Sequence, residues 1–380
     1  MVLFRCCTFF QLLNAINIKL TLLPDVDADV VLNQSTDFSL LVEPLRQANI
    51  FKNIFFSSDT ILENRAFREL PDEEKKKISK SPKKHHIFDL KLTKDYTDFY
   101  FAVEDEYCKL LYYYMVEQGM RLKNHLFDES KATYVIKVKN RFEIDGMAHE
   151  YWREKNFLQN LNEILLYEPD LYMADDLGCP VNRIPKIDYQ DLNTVNLYRS
   201  IFGYNELPKE KYIFFEEALF SDLYPISDMD LLEQLASLVG KEKIVVKPHP
   251  RSRMDRAGLR GYKMFQNSKI PWEITAMLND LSGKVLVAIA SNAALSTKLV
   301  FDKPQTAIQL CNMLEVGKHA INNQYDNFDS KAIQLLNQEK MCYFKPDTYD
   351  HLVEVIKYIN GGLLDDGFCR PASYHYSTSL

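Results

Sequence analysis

Short apolar runs alternate with amphipathic stretches through the first half of the chain. Val2–Cys7 predicts a buried strand, and Phe10–Lys19 has an apolar stripe at helical spacing. A strand followed by a turn and a helix is the first unit of a doubly wound α/β domain. Further strands are predicted over Ala28–Leu32, Ile54–Ser57, Asp98–Val103 and Tyr134–Val138, and helices over Phe38–Ala48, Glu104–Gln118 and Asn156–Tyr167. The polar, proline-containing segment Glu168–Asp191 predicts irregular structure.

The second half of the chain repeats this alternation after a segment typical of a linker. Ile201–Lys211 contains Gly203 and Pro208, and such residues interrupt regular structure. Strands are then predicted over Tyr212–Phe215, Lys243–Val246, Lys284–Ala290 and Gln305–Leu310, and helices over Met229–Leu238, Ile274–Leu281, Ala293–Phe301 and Asp347–Ile359. The pattern therefore predicts two α/β domains, residues 1–205 and 206–362, followed by a polar tail at 363–380.

A Lys-Pro-His-Pro sequence follows one of the predicted strands directly. Ile244, Val245 and Val246 are β-branched, and the two prolines prevent the strand from continuing. Lys247 and His249, with Pro250 behind them, are therefore expected at the carboxyl end of a strand, where open α/β sheets bind ligands. A cation and an imidazole there suit an anion such as a phosphate. A surface lysine and a packed histidine are the structural alternative.

A second candidate anion site follows the strand Lys284–Ala290. Ser291 and Asn292 both have good N-cap side chains, and Ser296 lies in the helix that follows. The first N–H groups and the dipole of that helix favour an anion, although a well-capped helix explains the pattern equally. Because this strand and the Lys-Pro-His-Pro strand are neighbours in sequence, both turns are expected to face one crevice.

Three acidic residues are candidates for binding or proton transfer. Glu273 lies near a predicted helix start, where it either stabilises the helix dipole or accepts hydrogen bonds from a ribose or base. Asp145 precedes Gly146 after a predicted strand, so it is either a general base at a strand end or part of an Asp-Gly turn. Asp222 follows the strand Tyr212–Phe215 and is the rival candidate for the base.

Composition narrows the classes of function. The net charge of −7 argues against nonspecific nucleic-acid binding as the main activity. Neither a P-loop nor a G-x-G-x-x-G sequence is present, so triphosphate hydrolysis and dinucleotide redox chemistry lose their usual support. The seven cysteines are scattered without a CxxC pair, which predicts reduced thiols in a cytoplasmic protein and no zinc site. No long uninterrupted apolar stretch and no signal peptide are apparent.

Taken in order, several of these motifs resemble glycosyltransferase family 52, the bacterial lipooligosaccharide sialyltransferases, which are related to bacterial polysialyltransferases. The resemblance covers the opening CCTFFQLLNAINI, EIDG around Asp145, KPHP around His249, IPWE around Glu273 and SNAALS from Ser291. The chain departs from the family at Ile144, which stands where the first acid of the acid–acid–glycine motif is expected, and at Asn292, which replaces a second serine.

The resemblance implies a GT-B fold, in which two Rossmann-like domains face each other across a cleft. It implies an inverting transfer, without metal or cofactor, of a sugar such as sialic acid from a CMP-sugar to a glycan of the bacterial surface. His249 would contact or protonate the leaving CMP phosphate, with Lys247, Ser291 and Ser296 beside it, and Asp145 or Asp222 would be the base.

The partners expected are a nucleotide-sugar donor and an oligosaccharide acceptor. Peripheral association with the inner face of the cell membrane, through the basic run Lys75–His86, and a homodimer are left open. Other readings also stay open: a transferase that uses another nucleotide sugar, a non-catalytic sugar-nucleotide or glycan-binding protein of the same fold, and a phosphoesterase.

Overall fold

The structure is a computed structural model that describes residues 1–33, 36–57, 70–71, 73–74, 77–78, 88, 90–135, 157, 160–174, 178–217, 228–249, 252, 254–266, 270–314, 323–337 and 342–361. The chain divides into two compact units. Unit 1 comprises Met1–Ile187 and Asn196–Phe202, and unit 2 comprises Asp188–Val195 and Gly203–Leu380. The predicted cleft between two domains stays a prediction, as do the predicted domain boundaries.

Unit 1 is built on a parallel sheet of seven strands. The strands are β1 (Val2–Cys6), β2 (Ala28–Asn33), β3 (Ile54–Ser57), β4 (Asp98–Phe101), β5 (Lys123–Phe127), β6 (Leu161–Leu166) and β7 (Val181–Arg183). Their order is β3-β2-β1-β4-β5-β6-β7, and every adjacent pair is parallel. The described helices are α1 (Phe9–Thr21), α2 (Val42–Ala48), α3 (Glu106–Glu117) and α4 (Lys131–Val135). A further helix, α5 (Leu192–Phe202), begins in unit 2 and contributes Asn196–Phe202 to unit 1.

Unit 2 repeats the architecture with a parallel sheet of six strands. The strands are β8 (Tyr212–Phe215), β9 (Ile244–Lys247), β10 (Lys263–Met264), β11 (Val285–Ala288), β12 (Thr306–Gln309) and β13 (Cys342–Phe344), in the order β10-β9-β8-β11-β12-β13. Its described helices are α6 (Asp228–Val239), α7 (Arg256–Leu259), α8 (Trp272–Leu278), α9 (Ala293–Phe301), α10 (Asn323–Asn337) and α11 (Tyr349–Asn360). The two parallel sheets with helices confirm the predicted α/β class with two Rossmann-like domains.

Burial on both faces explains why the central strands have continuous apolar sequences. In β9 and β11, Ile244, Val245, Val246 and Val285–Ala288 are all buried, as expected for parallel strands covered by helices.

The helix α6 ends as predicted at Gly240, whose φ of +89° and N–H bond to the Ala236 carbonyl stop the helix.

Four of the predictions made for residues 134–211 are wrong in whole or in part. Tyr134 and Val135 lie in the helix α4 and not in a strand. The predicted helix Asn156–Tyr167 contains the strand β6, whose buried Ile164–Leu166 run is too short to distinguish strand from helix by periodicity. The segment predicted to be irregular contains the edge strand β7, and the predicted linker begins inside α5.

His125 explains why the strand β5 was missed. Its buried side chain lies between two carboxylates, 2.8 Å from Glu163 and 2.9 Å from Asp98, and its ring stacks on Tyr100 at 4.2 Å. Burial alone would lower the pKa of His125, but the two carboxylates outweigh it and hold that pKa above its usual value. A polar residue with specific partners thus occupies a core position that an apolar pattern cannot reveal.

Cys6 and Cys108 are free thiols, whereas Cys342 forms a disulfide. Cys6 and Cys108 are buried thiols whose pKa values are raised by burial. Cys342 is disulfide-bonded, so the expectation that all seven cysteines are reduced is wrong at this position.

Among the helices of the described ranges, none has the length and apolar character needed to cross a membrane.

Candidate active-site residues

Lys247 and His249 lie where the sequence places them, at the carboxyl end of β9. Lys247 is the last residue of the strand and is only 7% exposed, with its Nζ 5.3 Å from the centre of the Phe265 ring. Burial lowers the pKa of Lys247 to about 8, against an opposing effect of the Glu273 carboxylate. A poorly hydrated ammonium of this kind gains strongly from an anionic ligand.

The turn after Lys247 brings the imidazole to the edge of the sheet. Pro248 and His249 are half-buried, and the His249 carbonyl accepts a hydrogen bond from the Ser252 N–H at 2.8 Å. This bond restricts the backbone at His249. Pro250 lies outside the described residues.

The two predicted anion turns do not end adjacent strands. β8 lies between β9 and β11, because the sheet order is β10-β9-β8-β11-β12-β13. Chain order reverses between β8 and β11, so the Ser291 turn is at the topological switch point, the usual ligand position in such sheets. The residues that follow β8, Glu216 and Glu217, therefore belong to the same sheet edge. From the sequence they form, with Asp222, an acid cluster that rivals Asp145.

Glu217 occupies the N–H groups of the Ser291 turn. Its Oε1 accepts hydrogen bonds from the N–H of Ala290 at 2.8 Å and of Ser291 at 2.6 Å. The Ser291 Oγ accepts a longer bond, 3.3 Å, from the Ala293 N–H, and Asn292 makes no side-chain capping bond to α9. The turn thus holds a carboxylate, which supports the prediction that it favours anions.

Glu273 and Ser296 form a buried pair in the same unit. Glu273 lies in the first turn of α8, and its Oε1 accepts a 2.8 Å bond from the Ser296 hydroxyl of α9. Burial raises the pKa of Glu273, although this hydrogen bond favours its ionised form. Because Ser296 is 1% exposed, the pair connects α8 to α9. The roles of both residues in nucleotide binding stay predictions.

A buried ion cluster supports the segment beyond His249. Arg256 of α7 makes two bonds to Asp228, at 2.7 and 2.6 Å, and a third to Glu216 at 3.0 Å. Asp228 and Glu216 are each 2% exposed. The guanidinium therefore ties the start of α7 to Glu216, which follows β8, and to the start of α6.

Asp128 of unit 1 is the acid that sequence reasoning missed. It follows β5 directly and is 2% exposed, and its carboxylate accepts hydrogen bonds from the Tyr134 hydroxyl and from the Tyr167 N–H. Burial raises the pKa of Asp128 to about 7 even though both bonds favour the ionised form. A carboxylate that titrates near neutrality at a strand end is a candidate general base.

The signal for Asp128 in the sequence is the acid pair Asp128-Glu129 followed by Ser130. It was obscured because β5 begins with Lys123, Asn124 and His125, which do not read as a strand. Asn124 is buried through a 2.7 Å bond from its side chain to the Phe157 carbonyl. The acids named from sequence, Asp145 and Asp222, lie outside the described residues.

The described parts of the chain offer no cluster of three or more His, Cys, Asp or Glu arranged to hold a metal ion. Lys247 and His249 at the end of β9 are groups that suit an anionic ligand, whereas the N–H groups of the Ser291 turn are held by Glu217. The predicted independence from metal stays a prediction.

Comparison with known proteins leaves the family open. No family model matches the chain, and no curated protein matches it. Membership of glycosyltransferase family 52 therefore stays a prediction.

Solved structures similar to the chain include three plant glycosyltransferases. Phytolacca americana UGT2, complexed with UDP-2-fluoro-glucose and pterostilbene, is 10% identical with a TM-score of 0.46, over 96% of this chain and 91% of that one. Arabidopsis thaliana UGT89C1, complexed with UDP-L-rhamnose, is 10% identical with a TM-score of 0.45, over 96% and 93%. A Polygonum tinctorium UDP-glucosyltransferase that glucosylates indoxyl, in complex with 3,4-dichloroaniline, is 7% identical with a TM-score of 0.49, over 96% and 91%. Values this low assign no activity.

Proposed function

We propose that this chain is an inverting, metal-independent glycosyltransferase that moves sialic acid from a CMP-sugar to a hydroxyl of a bacterial surface oligosaccharide. The observation that carries the proposal is Lys247, a buried ammonium at the carboxyl end of β9 with His249 two residues beyond it. The same sheet edge contains the Ser291 turn, whose N–H groups bind a carboxylate. These groups suit a phosphate leaving group.

The reaction that these groups suit is a single displacement. The acceptor hydroxyl attacks the anomeric carbon, the bond from that carbon to the CMP phosphate oxygen breaks, and the hydroxyl proton passes to a carboxylate. CMP departs with the electron pair of the broken bond, so negative charge grows on its phosphate. Lys247 and His249 stabilise that charge, and His249 can supply a proton to the departing oxygen.

The base in this proposal is Asp128. Its pKa of about 7 leaves a substantial carboxylate fraction at neutral pH and yet a basicity high enough to accept a proton as the hydroxyl reacts. The acid–acid–glycine resemblance favours Asp145 instead, and Asp222 is the third choice. Glu273, supported by Ser296, is assigned to the ribose or base of the nucleotide.

The experiment that tests the function is a panel of CMP- and UDP-sugars, each incubated with a galactose-terminated acceptor in the presence of EDTA. The expected result is release of CMP and transfer of sugar from CMP-sialic acid. Turnover only with another nucleotide sugar would replace the donor in the proposal. Tight CMP binding without any turnover would make the chain a binding protein, and metal-dependent phosphate release would make it a phosphoesterase.

A further inference from the structure

Glu217 makes a contact that the proposed reaction does not use. A single oxygen of its carboxylate accepts the N–H groups of two successive residues, Ala290 and Ser291, at 2.8 and 2.6 Å. Glu217 is 9% exposed, so its charge is largely removed from water. A buried carboxylate needs such charge-assisted hydrogen bonds to remain ionised.

The two N–H groups that Glu217 holds lie at a position suited to phosphate binding. The two N–H groups precede α9, a helix of nine residues, and they follow β11 at the switch point of the sheet. Successive N–H groups before a helix are the arrangement that binds phosphate oxygens in many proteins. A carboxylate oxygen and a phosphate oxygen would use the same two donors, and both cannot hold them together.

We propose that Glu217 is an internal competitor for the phosphate site, which an incoming phosphate must displace from the N–H groups of Ala290 and Ser291. The inference deepens the proposed function and rests on it for the identity of the ligand, a nucleoside monophosphate group. Glu217 lowers the affinity of the turn for phosphate in two ways: it occupies the donors, and its charge repels the ligand.

The test compares the wild type with Glu217→Gln and Glu217→Ala. Inorganic phosphate, CMP and cytidine are titrated separately by calorimetry at low salt. Glutamine keeps the shape and one acceptor oxygen but loses the charge, so Glu217→Gln should bind phosphate and CMP about tenfold more tightly or better. Cytidine, which lacks the phosphate, should bind all three proteins equally. Glu242→Gln, at an exposed position of the same unit, removes the same charge and should change nothing.

The outcomes distinguish two roles for Glu217: a competitor of the phosphate, or a residue that only holds the turn in place. Tighter phosphate binding by Glu217→Gln supports competition, and the same gain in Glu217→Ala strengthens it. Unchanged or weaker phosphate binding by Glu217→Gln overturns it and makes Glu217 a residue that merely holds the turn. Glu217→Gln keeps the test valid if Glu217→Ala does not fold. A phosphate gain without CMP-sugar turnover would preserve this inference and contradict the proposed function.

Discussion

Individual polar residues lie buried at the carboxyl edges of both sheets, and burial sets their pKa values. Lys247 and Asp128 are both nearly inaccessible, and burial shifts both pKa values toward neutrality, to about 8 and about 7. Burial favours the neutral form of each group, so it lowers the pKa of the lysine and raises the pKa of the aspartic acid. Lys247 stays mostly protonated at neutral pH, whereas Asp128 is divided between its two forms.

The role of Asp128 predicts a pH dependence. A general base must be deprotonated, so turnover should rise as the pH increases through about 7, the pKa of Asp128. Asp128→Asn keeps an acceptor for the Tyr134 hydroxyl and should lower turnover by about 10²–10⁴-fold at the pH optimum. Initial rates measured from pH 5, about two units below the pKa of Asp128, to pH 9, about one unit above that of Lys247, test both effects.

Asp170→Asn is the matched control in the same unit. The Asp170 side chain is 72% exposed and lies 3.2 Å from Arg183, so its replacement should leave both the rate and the pH profile unchanged. Wild-type turnover by Asp128→Asn would exclude Asp128 and return Asp145 to the first place among the candidate bases.

At the scale of elements, the sequence predicted strands with continuous apolar runs and missed strands with polar or edge positions. Apart from Lys247 at the end of β9, the strands β8, β9 and β11 are apolar, and the sequence located each strand to within one or two residues of its ends. β5 was missed because Asn124 and His125 are buried through specific partners. β10, with two residues, and β7, with three, carry too little pattern to be recognised.

Contacts between elements could not be predicted from the sequence either, because local patterns do not show which elements become neighbours. The apolar pattern predicted that β9 and β11 would both end at one sheet edge, but it gave no reason to place β8 between them. The bond between Glu273 and Ser296 joins two helices, and the Glu217 contact joins a strand end to a turn 73 residues away. Such pairings depend on the tertiary fold.

The ion cluster around Arg256 gives a prediction for stability. Arg256→Met removes the cation and leaves two buried carboxylates, Glu216 and Asp228, without it. Breaking a buried ion pair by removing one partner typically costs about 3–5 kcal/mol, so the free energy of unfolding should fall by that order. Urea denaturation followed by circular dichroism measures the loss.

Arg260→Met provides the control on the same part of the chain. Arg260 is 44% exposed and 3.9 Å from Glu233, and a surface pair of this kind contributes about 0–1 kcal/mol. Equal losses for the two variants would contradict the view that burial makes the Arg256 cluster important for stability.

At the scale of the whole molecule, the alternation of strands and helices was sufficient to predict two parallel α/β sheets. The order β3-β2-β1-β4-β5-β6-β7 in unit 1 and the order β10-β9-β8-β11-β12-β13 in unit 2 each reverse once. Each sheet therefore has a switch point at which a ligand is expected. In unit 2 the Ser291 turn lies at that point, and Lys247 ends β9 of the same sheet; this is the physical basis for proposing that unit 2 binds the donor phosphate.

The central claim is that the carboxyl edge of the unit 2 sheet binds the leaving phosphate, and His249→Ala tests it most directly. The measurement is the rate of CMP release from CMP-sialic acid with a galactose-terminated acceptor, with circular dichroism as the check on folding. The account predicts a folded variant whose turnover is lower by about 10²–10⁴-fold, the usual contribution of a positioned acid. A folded His249→Ala variant that releases CMP at the wild-type rate would contradict it.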